Sequence, residues 1–224
     1  MYSEEKIQPK SFRYHKEIRS DLKTGDIVLF SGDKGIAPFI KLFTRSKWSH
    51  VGMVYLRDGD VCLWEATKIG KVVDSEKGKK INGVQLPLLS ERIRRFSGEV
   101  AIRSISEGFD QDMLKKLFNF RQRVKGRKYE KRKLDLLLSV YDGIFIPEGF
   151  VPDASNDLSS FFCSELIAET YREVGLLLSP QPSSEYTPAD FAENGKVNLY
   201  GRQVGKERMV TWDEPEKTIA SITT

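Results

Sequence analysis

The sequence predicts an α+β fold in which an antiparallel sheet, or a small barrel, packs on helices. The first observation is a hairpin pattern, because two apolar stretches flank Asp58-Gly59, a pair that favours a tight two-residue turn. The second is residues 159–175, a stretch with apolar residues at helical spacing that ends at Gly175, where a left-handed residue is expected. The hairpin and this helix are the two elements from which the rest of the fold is interpreted.

The remaining elements follow from local patterns. Residues 110–124 predict an amphipathic helix capped by Asp110, with an inward face of Met113, Leu114, Leu117, Phe118 and Val124. Further patterns predict strands at 27–30, 83–87 and 99–104, helical spacing at 36–44, a helical turn within 88–96, an apolar helical segment at 134–145, a short helix starting at Thr187 and a last edge strand within 199–212.

The domain organisation is expected to be simple. Residues 1–22 are interpreted as an N-terminal extension, residues 23–212 as one catalytic domain, and residues 213–224 as a disordered tail. Within the domain, about 130–158 is interpreted as an insertion, whose second half is rich in Pro, Gly, Asp and Asn.

The composition of the chain limits the partners, cofactors and cellular location to be expected. The 224 residues carry 36 Lys+Arg and 32 Asp+Glu, a weak basic bias that permits an anionic partner without demanding one. Two cysteines without a spaced Cys/His set indicate neither a disulfide framework nor a structural zinc site, so no metal and no organic cofactor is expected. The charged N-terminus is not a secretory signal and no apolar run has the length of a transmembrane segment, so a reduced, cytoplasmic setting is expected.

The hairpin register relates two candidate site residues. With Asp58-Gly59 as the two-residue loop, Gly52 faces Glu65 and His50 faces Thr67. His50 and Glu65 are then diagonal neighbours on one face, about 7–8 Å apart at the backbone. By the same register Cys62 faces Tyr55 on the opposite side, although a three-residue loop would reverse this parity.

Cys163 is the candidate nucleophile. If Ser159 or Ser160 caps its helix, Cys163 lies within the first turn, where free backbone N–H groups and the helix dipole favour a thiolate. A thiolate needs a base, and that base needs an orienting group, which indicates His50 and Glu65. Each residue also has a plain structural interpretation: a buried core cysteine, a satisfied core histidine, and a carboxylate at a strand edge facing solvent.

Four short motifs follow one another in an order that resembles a known family. They are Gly25-Asp26-Ile27-Val28, Ser49-His50-Val51-Gly52-Met53-Val54, Trp64-Glu65-Ala66 and Phe162-Cys163-Ser164-Glu165-Leu166. This order, with histidine first and cysteine last, resembles the YiiX-like permuted papain-fold proteins of the NlpC-type superfamily, relatives of lecithin:retinol acyltransferase. The resemblance spans about residues 23–195, and Glu130 stands where the family more often has aspartate.

The resemblance implies a circularly permuted papain-like (NlpC-type) fold and a cysteine hydrolase. It implies Cys163 as nucleophile, His50 as general base, Glu65 as the residue that orients the imidazole, and the Cys163 backbone N–H as an oxyanion donor. The expected substrate is a peptide, isopeptide or amino-acyl amide, cleaved through an acyl-enzyme as in a thiol protease or amidase.

Three alternatives stay open at this point. The same site would act on a lipid ester, as a hydrolase or acyltransferase, if an apolar groove were lined by Leu136, Leu137, Leu138 and Phe145. The fold would be a binding module if it had lost activity, which the complete set of three site residues disfavours. The basic run 121–133 suggests nucleic acid, but it is interpreted as a solvated helix end and loop, so nucleic acid is not an expected partner. The sequence indicates neither the individual substrate nor the oligomeric state.

Overall fold

The computed structural model describes residues 11–32, 45–67, 71–124 and 159–215, together with Ala37 and Lys41, and for residues 159–162 it describes the backbone alone. The predicted helix at 36–44, the insertion at about 130–158 with its apolar segment, Glu130, residues 1–10 and residues 216–224 lie outside the described residues, apart from Ala37 and Lys41, which are helical.

The described chain folds into seven strands and three α-helices. The strands are β1 Ser11–Arg13, β2 Ile27–Gly32, β3 His50–Arg57, β4 Asp60–Thr67, β5 Gly83–Gln85, β6 Gly98–Arg103 and β7 Arg208–Thr211. The α-helices are α1 Leu89–Arg94, α2 Gln111–Val124 and α3 Ser159–Glu173. Shorter helical turns lie at Tyr14–Ile18, Arg19–Asp21, Ser183–Glu185 and Pro188–Phe191. The α+β class predicted from the sequence is therefore confirmed.

The strands form one open sheet in the order β1-β7-β6-β2-β3-β4-β5. Its neighbours are antiparallel except for β1 and β7, which run parallel. Of the two predicted arrangements, the described residues show the sheet and not the small barrel. The predicted edge strand near the end of the chain is wrong in its position, because β7 lies inside the sheet between β6 and β1.

The hairpin of β3 and β4 has the predicted turn. Asp58 and Gly59 have φ of 51° and 83°, as a type I′ turn requires, and Tyr55 lies opposite Cys62. The ladder between the strands runs only as far as Met53 and Trp64. Beyond that point β3 pairs with β2 and β4 pairs with β5, so the predicted pairs of His50 and Gly52 lie past the end of the ladder.

Both faces of the sheet are covered. One core packs α2 and α3 against alternate strand residues that include Met53 and Trp64, and the other packs α1 against residues that include Phe30 and Leu63. Because each face is buried, the central strands are apolar at nearly every position. Residues 11–22, assigned to an extension by sequence, supply β1 and the buried Tyr14, Ile18 and Leu22 of the second core.

Helix α2 confirms its predicted cap and most of its predicted face. Leu117 is buried, Met113, Leu114 and Val124 pack against the core, and only Phe118 is wrong. The carboxylate of Asp110 accepts a hydrogen bond from the Met113 N–H at 2.8 Å. The buried residues are Leu117, Phe120 and Arg121, whereas Phe118 is 52% exposed. Since successive helical residues are about 100° apart, the narrow buried stripe through Leu117 turns Phe118 outward.

Helix α3 ends as the sequence predicts. Gly175 has φ of 83°, its N–H donates to the Arg172 carbonyl at 2.9 Å, and the Leu176 N–H donates to the Tyr171 carbonyl at 2.8 Å. These two bonds form a Schellman motif, which satisfies the last carbonyls of the helix. Thr187 and Asp190 likewise form the predicted cap of the short helix Pro188–Phe191.

Candidate active site

His50 and Glu65 are in direct contact. The His50 Nε2 atom lies 2.6 Å from the Glu65 Oε2 atom, within hydrogen-bonding distance. His50 opens β3, and Glu65 lies near the end of β4, so the hairpin delivers both side chains to the same region. Glu65 is completely buried and His50 is 8% exposed, so the plain interpretation of Glu65 as a solvent-facing carboxylate does not apply.

Three groups surround the Glu65 carboxylate. Oε2 faces His50, and Oε1 accepts a hydrogen bond from the Gln85 side-chain amide at 2.6 Å. Arg92 of α1 places its Nε 3.1 Å from Oε1 and 3.4 Å from Oε2. Gln85 reaches Glu65 because the two residues are paired between β5 and β4, and Arg92 reaches it because α1 packs over β4.

These neighbours decide the charge of Glu65. Burial by itself raises the pKa of Glu65, but the Arg92 guanidinium, the His50 imidazole and the Gln85 amide outweigh it and lower the pKa to about 2. Glu65 is therefore an ionised carboxylate at neutral pH. A buried ionised carboxylate whose oxygens are all hydrogen-bonded holds its partners in a fixed geometry.

The second partner of His50 is Cys163. The Cys163 side chain hydrogen-bonds the imidazole. Because Nε2 faces Glu65, Nδ1 is the nitrogen left for the sulfur. Burial by itself lowers the pKa of His50, but Cys163 and then Glu65 outweigh it and raise the pKa to about 9. The site thus favours a protonated imidazole beside the ionised Glu65 carboxylate.

The contacts of α3 explain how Cys163 reaches the hairpin. The helix packs on both β3 and β4. Its Thr170 hydroxyl accepts a hydrogen bond from the Trp64 indole N–H at 3.1 Å, which fixes the helix along β4. Cys163 lies two turns before Thr170 on the same face, because seven residues span about two helical turns.

The predicted position of Cys163 in the first helical turn is wrong. Helix α3 begins at Ser159, so both serines lie within the helix and Cys163 is its fifth residue. Only the first four N–H groups of an α-helix lack an intrahelical partner. The Cys163 N–H is therefore committed to the helix, and the helix start contributes less to the thiolate than the sequence suggests.

Aromatic rings frame the imidazole and the guanidinium. The Phe30 and His50 ring centroids are 5.5 Å apart. The Arg92 guanidinium lies 4.7 Å from the Phe30 ring centre and 5.2 Å from that of Phe96. One phenyl ring therefore contacts both charged partners of Glu65, which limits their movement.

The other cysteine and the other histidine lie in different surroundings. The Cys62 sulfur is 3.8 Å from the Ser75 hydroxyl, and burial raises the pKa of the Cys62 thiol. His15 packs between the rings of Tyr14 and Trp212, at 4.9 Å from each. The structure thus brings together Cys163, His50 and Glu65, and no other Cys or His joins them in the part of the chain that it describes.

Sequence reasoning missed Arg92 and Gln85. Gln85 lies in a predicted strand. It lies opposite Glu65 because β4 pairs with β5, and no local sequence pattern shows that pairing. Arg92, Arg94 and Arg95 look equivalent in sequence, but only Arg92 points to Glu65, while the other two pair with Glu91.

The described residues contain neither a metal-ligand cluster nor a membrane-spanning helix. Among residues 11–32, 45–67, 71–124 and 159–215, no group of three or more His, Cys, Asp or Glu side chains is placed to share a metal ion. Within the same ranges, no helix has both the length and the apolar character needed to cross a membrane.

Comparison with solved structures finds proteins of similar structure. No family model matches the chain, and no curated protein matches it. The chain is similar to the crystal structure of metalloprotein yiiX from Escherichia coli O157:H7, DUF1105, with 18% sequence identity and a TM-score of 0.44. The match covers 86% of this chain and 98% of that chain. At this TM-score the similarity assigns neither an activity nor a papain-like fold.

Proposed function

We propose that this protein is a cysteine hydrolase that cleaves an amide bond through an acyl-enzyme on Cys163. One observation supports this above the others: the His50 imidazole lies between the Cys163 thiol and the Glu65 carboxylate. A thiol nucleophile needs a base that takes its proton, and the base needs a group that orients it. A thiol, an imidazole and a carboxylate in a row meet both needs.

The proposed reaction begins with the Cys163 thiolate and a protonated His50. The sulfur attacks the carbonyl carbon of a peptide, isopeptide or amino-acyl amide and forms a C–S bond, and the carbonyl electrons move to oxygen. As the C–N bond breaks, His50 gives its proton to the leaving amine, which leaves a thioester. Neutral His50 then removes a proton from water, the hydroxide adds to the thioester carbon, and the C–S bond breaks to release the acid and restore the thiolate.

Glu65 has an orienting role in this proposal. It accepts the hydrogen bond of Nε2, so Nδ1 faces the sulfur and the imidazolium is stabilised. Its ionised state is suited to this role, since a neutral carboxyl group would compete as a donor.

A circularly permuted papain-like fold is part of the same proposal. It is supported by the chain order of His50, Glu65 and Cys163, and by α3 packing on the strands that carry the first two. Cys62 and Cys163 are not joined in a disulfide, which suits a reducing compartment, and we extend the proposal to a cytoplasmic location on that ground.

Access to the sulfur is the condition that this proposal sets. Cys163 is completely buried, whereas part of the His50 side chain reaches the surface. We expect the substrate carbonyl to approach beside His50, with a local opening that uncovers the sulfur.

The test is a mass shift on Cys163 after incubation with acyl donors. The panel contains peptide, isopeptide and amino-acyl amides on one side and lipid esters on the other, with the Cys163→Ala variant as control. Adducts from amides alone support the proposal, and adducts from lipid esters alone replace it with a lipid ester hydrolase or acyltransferase. The structure does not describe residues 136–138 and Phe145, which were expected to line a lipid groove. The reaction with the acyl donors therefore decides between an amide and a lipid ester substrate. No adduct from any donor would indicate a binding module.

A further inference from the structure

Four side chains form a continuous row through the candidate site: Cys163, His50, Glu65 and Arg92. We propose that Arg92 is a positioning residue of this site, one that balances the charge of Glu65 so that the carboxylate stays ionised beside the Cys163–His50 pair. This inference rests on the proposed function, and it concerns a residue that neither touches the substrate carbonyl nor transfers a proton.

The charges along this row balance only when Arg92 is included. The charges of a reactive thiolate and an imidazolium cancel each other. An ionised Glu65 then adds one negative charge in a completely buried position. An unbalanced buried charge costs several kcal/mol, and the usual outcome is that a proton binds instead. The Arg92 guanidinium makes the row alternate negative, positive, negative and positive, with no net charge.

Several contacts hold the Arg92 side chain in place. Its Nε lies within 3.4 Å of both carboxylate oxygens, and its side chain is 13% exposed. The guanidinium lies over the Phe30 ring and the Phe96 ring, which limits its movement, and the Phe30 ring also lies beside the His50 ring. A movement of Arg92 would therefore disturb Glu65 and His50 together.

Among the described residues that contact Glu65, no other group carries a permanent positive charge that could replace Arg92. The groups that face Glu65 are His50 from β3, Arg92 from α1 and the neutral amide of Gln85 from β5. The group that faces His50 from α3 is Cys163. Arg92 is therefore the permanent positive charge of the row.

Helix α1 offers a matched control. Arg95 lies three residues after Arg92 and pairs with Glu91 through its own Nε at 3.1 Å. That pair is half-exposed and lies away from the row. Arg95 is the C-cap of α1, so Arg92→Gln and Arg95→Gln remove the same chemical group from the helix and from its end, one inside the site and one outside it.

The experiment measures the rate at which iodoacetamide labels Cys163 in the full chain between pH 5 and 9, by mass spectrometry. At pH 6 we expect Arg92→Gln to label about tenfold more slowly than wild type, since one opposing charge shifts a proton equilibrium by about one unit or more. Arg92→Lys should recover part of the rate, and Arg95→Gln should match wild type. Circular dichroism verifies that each variant is folded.

A double variant separates positioning from general damage. If Arg92 acts through Glu65, Arg92→Gln adds no further loss of labelling rate to Glu65→Gln. An Arg92→Gln variant that is folded and labels like wild type overturns the inference, and so does an equal loss in the Glu65→Gln background.

Failure of the proposed function gives a different result. If wild-type Cys163 labels no faster than Cys62, the hydrolase proposal fails, and acid unfolding then decides the charge-balancing claim alone. Arg92→Gln should begin to unfold at a higher pH than Arg95→Gln, because Glu65 takes up a proton more readily without its counter-charge. Coincident unfolding curves would reject the claim.

Discussion

Arg57 lies opposite Asp60 across a two-residue turn, and this pairing decides which face of the hairpin carries His50 and Glu65. The side chains of a strand alternate between faces, so a register shift of one residue would send Glu65 to the other face. The contact between the His50 and Glu65 side chains therefore depends on a turn that begins eight residues after His50.

The turn itself is open to a stability test. Gly59 has φ of 83°. In that conformation the Cβ atom of an alanine lies too close to the following carbonyl oxygen, so Gly59→Ala should lower the free energy of unfolding by about 1 kcal/mol. Urea unfolding followed by circular dichroism measures this. The control is Gly32→Ala, where a new Cβ meets neighbours no nearer than 3.6 Å and no positive φ is required. Equal effects at the two glycines would contradict the assigned turn.

The two thiols should differ in reactivity. Iodoacetamide near pH 6 should label Cys163 well ahead of Cys62, because Cys163 has an imidazole partner whereas Cys62 faces the Ser75 hydroxyl. Both thiols are buried, so a difference in exposure does not account for the contrast. Peptide mapping after brief labelling gives the two rates, and equal rates in the folded protein would count against a catalytic Cys163.

The two histidines should differ in their importance for turnover. With a donor that acylates Cys163, His50→Ala should lower turnover by about 10²–10⁴-fold, the usual cost of losing a positioned general base. His15→Ala should leave turnover nearly intact, because His15 packs on Tyr14 and Trp212 and lies outside the row of site residues. Circular dichroism establishes that both variants fold. Full activity of His50→Ala would remove His50 from the mechanism.

Replacement of Glu65 should have a graded effect on activity. Glu65→Gln keeps the shape and one acceptor oxygen but removes the charge, so part of the turnover should remain. Glu65→Ala should retain less, because the imidazole loses the partner that lies 2.6 Å from its Nε2. Steady-state kinetics on one donor gives the order, and an alanine variant as active as the glutamine variant would exclude an orienting role.

Acid should weaken the contribution of Glu65 to stability. The pKa of Glu65 is lowered from 4.5 to about 2 in the folded protein, mainly because Arg92, His50 and Gln85 outweigh the effect of burial. A lowered pKa means that this stability is fully present above pH 4.5 and is lost as the pH falls towards 2. The difference in unfolding free energy between wild type and Glu65→Gln should shrink over that range. Glu91→Gln is the control, since Glu91 pairs with arginines in a half-exposed setting and should change stability little.

Local signals predicted the parts of this fold that depend on a few adjacent residues. Asp58-Gly59 predicted the hairpin turn, and Gly175 predicted the end of α3. Asp110 predicted the N-terminal cap of α2. In each case the residue type supplies a backbone conformation or a hydrogen bond that its neighbours require. The contact of His50 with Glu65 was within reach of the sequence because both residues belong to one hairpin.

Non-local packing determined the rest. Phe118 matched a helical pattern but faces outward, because the sheet covers only the stripe through Leu117. The choice of Arg92 over Arg95 depends on where α1 lies over β4. Neither feature has a signature in the residues alone.

The parallel pairing of β1 with β7 has a consequence for folding during synthesis. Ser11 pairs with the position of Met209, so β1 leaves the ribosome long before its partner exists. At about 5–20 residues per second, roughly 200 intervening residues correspond to a delay of roughly 10–40 s. During that interval the hairpin with His50 and Glu65 can form, but the second core, which holds Tyr14 and Ile18, still lacks Val210 and the packing of Trp212. Nascent chains are therefore expected to expose Tyr14 and Ile18 to chaperones until the last strand of the sheet is made.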